Sequence, residues 1–97
     1  MKKNENIEFT KSIIPQYFKE YEITFENFSG PHWHLEFNIQ QYQIKIFGDI
    51  GFQLSIIEKG KEYNLSILDK DLIGKQKTTF ENIKCHLASL KNIVNDS

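Results

Sequence analysis

From Tyr21 to Leu68 apolar and polar residues alternate with a period of two, and this rhythm limits the fold more than any other feature of the chain. Successive side chains of a strand point to opposite faces, so alternation marks a strand with one dry face and one wet face. Trp33, Leu35, Phe37 and Ile39 against His34, Glu36, Asn38 and Gln40 is the clearest stretch. Tyr21, Ile23 and Phe25 precede it. Tyr42, Ile44 and Ile46 follow, then Phe52, Leu54 and Ile56, then Tyr63, Leu65 and Ile67. The breaks are Ser29-Gly30-Pro31, Gln40-Gln41, Gly48 to Gly51, and Lys59-Gly60 with Gly at the left-handed position. Links this short leave no room for a crossover, so neighbouring strands must run antiparallel. The pattern predicts a five-stranded antiparallel meander over about 21–28, 33–39, 42–48, 52–58 and 62–69.

A sheet with one apolar face needs a covering layer. Phe80, Ile83, Leu87, Leu90 and Val94 recur at spacings of three and four, the stripe of an amphipathic helix. Thr78 followed by Glu81 reads as a capping box. A C-terminal helix over about 79–94, packed on one sheet face, is expected. Near the N-terminus Phe9, Ile13, Ile14, Tyr17 and Phe18 are helix-spaced, Ser12 is a candidate cap, and Pro15 falls in the first turn. This predicts a short helix over about 12–20 after a frayed segment 1–8, although Tyr17, Tyr21 and Ile23 also suit a strand. The expectation is an α+β fold in a single domain, residues 1–97, with the 97 residues sufficing for one core.

Twelve Lys stand against thirteen acids, for a formal net charge of −1, and there is no Arg. Without guanidinium forks or a basic stripe, a nucleic-acid partner is not expected. The one cysteine, Cys85, has no internal partner, which favours a reducing compartment. The opening Met1-Lys2-Lys3 leads into no apolar stretch, and no run suits a membrane span, so a cytoplasmic protein without a membrane partner is expected.

Pro31-His32-Trp33-His34-Leu35-Glu36 is the sharpest candidate for chemistry. On a strand it aligns His32, His34 and Glu36, and two imidazoles with a carboxylate are zinc or iron ligand types. His-x-His on a strand also resembles part of the cupin metal pattern, without that pattern's later carboxylate or distal motif. Alternation alone explains the same directions, so no metal site is assigned, and a metal-dependent binder or enzyme is the alternative reading. Cys85 and His86 diverge by about 100° on a helix and make no nucleophile–base pair. Gly48-Asp49-Ile50-Gly51 lacks the Lys-Ser/Thr of a phosphate loop. Glu22, Glu26, Glu36, Glu58, Glu62, Asp69 and Asp71 show no acid–base spacing. A non-enzymatic protein without cofactor is therefore expected.

Binding is the remaining role. Phe28 and Phe47 interrupt the polar sheet face, and Ile57 and Leu68 add apolar area, a mixture that suits a protein interface. The candidate contacts are His32, His34, Glu36, Glu58, Glu62 and Asp71. A homodimer through the exposed face or an edge strand is a further alternative. A short, Lys/Asn/Ile-rich, Arg-free, slightly acidic α+β chain of this kind resembles the small immunity proteins of contact-dependent and other polymorphic bacterial toxin systems. The resemblance covers size and composition along the whole chain, not a motif. It implies a cytoplasmic inhibitor that binds a cognate toxin domain, such as a nuclease, and occludes its site.

Overall fold

The computed structural model describes residues 4–49 and 51–95. Along the chain run α1 (Glu5–Tyr17), β1 (Glu22–Ser29), β2 (His32–Ile39), β3 (Tyr42–Gly48), β4 (Phe52–Glu58), β5 (Lys61–Asn64), α2 (Leu65–Leu68), a 3-10 turn (Lys70–Leu72) and α3 (Phe80–Asn95). The strands form one antiparallel sheet in the order β1-β2-β3-β4-β5, the meander that alternation predicts. Lys59 and Gly60 both have positive φ, 54° and 79°, which matches the twist of the tight β4–β5 hairpin.

Register sorts the side chains into two faces. Trp33, Leu35, Phe37 and Ile39 of β2 pair across to Gly48, Ile46, Ile44 and Tyr42 of β3, and Ile44, Ile46 and Gly48 pair on to Ile56, Leu54 and Phe52 of β4. All are buried, Trp33 at 3% exposed and Phe37 at 0%. Helices α1 and α3 contact each other and cover this inner face. Ile7, Ile13, Ile14 and Phe18 from α1 join Ile83, Leu87, Leu90 and Val94 from α3 in one core with the strands. Each fully buried aliphatic of this set contributes about 1.5–3 kcal/mol relative to exposure.

Four details depart from the sequence reading, each for a local reason. First, α1 begins at Glu5 rather than near residue 12, so residues 4–8 are ordered structure and only 1–3 lie outside the described residues. Asn4 is the cap, its Oδ1 accepting from the Asn6 and Ile7 N–H groups, and Ile7 is buried. Ser12 instead donates to the Phe9 carbonyl inside the helix, and Pro15 sits in the last turn. Second, β1 carries an irregularity between Ile23 and Phe25. The extra residue reverses the alternation, so Ile23 shares the inner face with Phe37 while Phe25 shares the outer face with Glu36. Beyond it Phe28 pairs with Trp33 and lies on the inner side, not the outer.

Third, β5 ends at Asn64, and residues 65–68 form one helical turn. Asn64 Oδ1 accepts from the Ser66 N–H and hydroxyl, a cap that outcompetes strand continuation. Leu68 therefore leaves the sheet altogether. Fourth, the cap of α3 is Thr79, whose hydroxyl accepts from Asn82 N–H, while Thr78 donates to the Gly51 carbonyl. Phe80 stays half exposed, stacked on Phe9 at 4.0 Å, and His86 and Ser89 take buried positions beside Ile83, Leu87, Leu90 and Val94.

Candidate functional site

Helices α1 and α3 join the core on the inner face, and the outer face carries the exposed Phe25 and Phe47. Pairing sets it out in rows. Glu22, Asn38, Gln43, Ile57 and Glu62 form one; Phe25, Glu36, Lys45, Ser55 and Asn64 the next; Asn27, His34, Phe47 and Gln53 the third. At its centre three rings meet across three strands. His34 lies 4.2 Å from Phe47 with the rings 23° apart, and 4.8 Å from Phe25 at 53°. Phe25 and Phe47 are 44% and 42% exposed. Neither phenyl has a polar atom to satisfy, so water gains nothing from their exposure.

Polar groups rim the stack. Glu36 Oε1 accepts from Gln43 Nε2 at 2.8 Å. Its Oε2 lies 2.8 Å from His34 Nε2, an ion-pair distance, although that ring nitrogen is covered and makes no aligned hydrogen bond. Lys45 stands across from Glu36 on the neighbouring strand, where opposite charges favour the pairing.

The six predicted contact residues do not form one cluster. His34 and Glu36 sit at the centre of the outer face. His32 is at its border, with Nδ1 3.0 Å from Asp49 Oδ2. Glu62 belongs to the same face on β5, three strand spacings or roughly 14 Å from β2. Glu58 accepts from Gln41 Nε2 at the hairpin end. Asp71 lies in the 3-10 turn, away from the sheet. His32 turns to Asp49 while His34 turns to Glu36, and among the described residues no three His, Cys, Asp or Glu side chains converge as a metal-binding group. The strand thus brings His34 and Glu36 together, while His32 pairs with Asp49 instead.

Sequence reasoning missed Phe25, because the irregularity in β1 reverses its face without altering composition. It also missed an open cleft of about 570 Å³ at the β3–β4 end, bordered by Trp33, Phe52, Asn64, Ser66, Gln76 and His86. His86 is buried, edge-on to Phe52 at 4.6 Å, and its Nδ1 donates to the Asn82 carbonyl at 2.8 Å. That contact fixes the Nδ1–H tautomer, since a carbonyl only accepts. Burial is the main cause that lowers its pKa below the ordinary imidazole range. Cys85 packs partly against the core, so the two neighbours face different surroundings.

Comparison of the chain with protein-family models, curated proteins and solved structures finds no match. No described helix is long and apolar enough to cross a membrane.

Proposed function

We propose that this chain is a non-catalytic binding protein whose outer sheet face docks on another protein, and that the partner is a bacterial toxin domain it neutralises. The observation that carries the reading is the Phe25–His34–Phe47 ring cluster on the outer face, with both phenyl rings exposed. Aromatic anchors ringed by hydrogen-bonding and charged groups are the composition of an interface core and its rim. Two half-exposed phenyl rings on β1 and β3, one on each side of His34 on β2, are costly in a small domain unless something covers them. Glu36, Gln43, Lys45 and Asn38 supply the rim, and His34 and Glu36 are its central polar contacts. The toxin-domain partner follows from the resemblance in size and composition to immunity proteins, and such a protein acts by steric occlusion, needing neither cofactor nor acid–base pair.

The test is co-expression with the product of the neighbouring reading frame. The proposal expects growth rescue and a 1:1 complex at micromolar affinity or better. A neighbour that remains toxic in the presence of the chain, with no complex on size exclusion, counts against it.

A further inference from the structure

The two sides of the sheet are finished differently. At one side the edge strand β5 is only four residues long and begins with Lys61. β5 pairs with residues 55–58, and the segment before α3 covers the rest: Phe52 N–H donates to the Gln76 carbonyl at 2.7 Å, and Gly51 bridges to Lys77. Beyond β1 no strand pairs among the described residues. β1 spans eight residues, seven of them exposed. An open edge of this length presents unpaired N–H and C=O groups, a template for another strand.

Natural edges are blunted by lysine, proline, bulges or inward-pointing charges; β1 has no lysine or proline, and beyond its irregularity at Ile23/Phe25 the stretch Phe25–Ser29 pairs with β2 without a break. Residues 20–29 contain Glu20, Glu22 and Glu26, all exposed, and no basic residue. Lys11 of α1 reaches Glu26 Oε2 at 3.0 Å from the inner side, and Glu22, with Glu20 just before the strand, is exposed at the start of the edge. Phe25 faces outward and Phe28 inward, so the edge offers one ring to each of two alternate side chains of an incoming strand.

We infer that the free edge of β1 accepts an extended, lysine- or arginine-bearing strand of the partner by backbone pairing. The inference rests on the preceding reading and extends it from face to edge, since Phe25 belongs to both. Backbone pairing supplies the fit, the acids select a basic strand, and the phenyl rings attract its cations or cover its stems. A second copy of the chain is the poorer occupant, because self-pairing sets the same acids against each other.

The probe is a synthetic octapeptide of alternating lysine and valine, titrated while the backbone amide resonances of the chain are followed. Shifts are expected at Glu22–Ser29 and their β2 partners, with binding at least about tenfold tighter than for a glutamate–valine or a lysine–proline peptide. The double variant Glu20→Lys with Glu22→Lys is expected to reverse the preference to the glutamate peptide. Equal binding of the lysine–valine and lysine–proline peptides, shifts centred elsewhere, or concentration-dependent shifts at β1 without peptide would each overturn the inference. The peptide comparison on the unaltered chain decides the matter even if the double variant folds poorly. Phe47→Glu is expected to spare the titration while removing partner capture. A failed titration beside Phe47-dependent capture refutes the edge alone; a successful titration without capture refutes the face.

Discussion

Gly48 closes β3 opposite Trp33, and adding a single methyl there measures how tightly the inner face is packed. A Cβ on Gly48 would stand 2.1 Å from Trp33 Nε1, 2.3 Å from Cε2 and 2.7 Å from Cζ2. Non-bonded contacts settle near 3.5–4.0 Å, so the indole must retreat by about 1 Å or more. It has little room, being 3% exposed and set against Phe52 at a centroid distance of 6.0 Å. Overpacking of this sort costs about 1–3 kcal/mol, and complete expulsion of the indole would forfeit about 4–6 kcal/mol for roughly 150–250 Å² of buried surface. Gly48→Ala is therefore expected to lose about 3 kcal/mol, a large part of the stability of a domain this size. The conflict is with one ring, so removing the ring should remove the cost. In a Trp33→Leu background Gly48→Ala is expected to cost under about 1 kcal/mol, giving a coupling of about 2 kcal/mol. Urea denaturation of the four proteins followed by far-ultraviolet circular dichroism gives the cycle. A cost below about 1 kcal/mol in the natural sequence, or the same cost in both backgrounds, would refute the reasoning.

Two further predictions concern α3 and its ties. Ser89 donates to Asp69 Oδ2 at 2.6 Å, and this bond, followed by the Asp71 N–H, holds the Asp69 carboxyl below its ordinary value. A depressed carboxyl contributes stability that is present above its ordinary pKa near 3.8 and is lost as pH falls through the folded value. Ser89→Ala is expected to cost about 1 kcal/mol at pH 7 and to flatten the acid limb of a stability–pH curve; an unchanged limb would contradict the assignment. His86 is a base kept neutral chiefly by burial, with Lys75 acting the same way and the Asn82 carbonyl and Asp69 opposing. Protonation favours the unfolded chain, so stability is full above about pH 6.5 and declines as pH falls from there to the folded pKa. His86→Phe keeps a ring against Phe52 and is expected to abolish that decline in urea midpoints; a variant that retains it would place the titration elsewhere.

What could be read from the sequence was whatever obeyed a single period. β2 and β3 each alternate between core and outer face without interruption, so their faces followed from alternation, and α3 followed from its stripe. What escaped were choices made by short-range hydrogen bonds. Asn4 and Asn64 each cap a helix through Oδ1, and a lone Asn gives little warning of whether it will act as a cap or as an ordinary polar residue. The irregularity at Ile23/Phe25 inverts the face of Phe25 and so assembles the ring stack, yet it leaves no compositional mark. Phe80 kept the stripe spacing but lay beyond the sheet, where Phe9 is its partner. Of the expected contacts, His34 and Glu36 were legible because both belong to β2, the most regular strand; Asp71 and Glu58 were judged by charge alone, and charge does not fix position.

The account turns on the uncovered sheet face being the surface that binds. Calorimetric titration of the proposed partner protein with Phe25→Glu, Phe47→Glu and, as helix-side controls, Lys84→Glu and Lys91→Glu tests this directly, all four positions being solvent-exposed. The face variants are expected to weaken binding by about a hundredfold or more, and the helix controls by less than about threefold. Helix-side variants that abolish binding while both phenylalanine variants retain it would contradict the account.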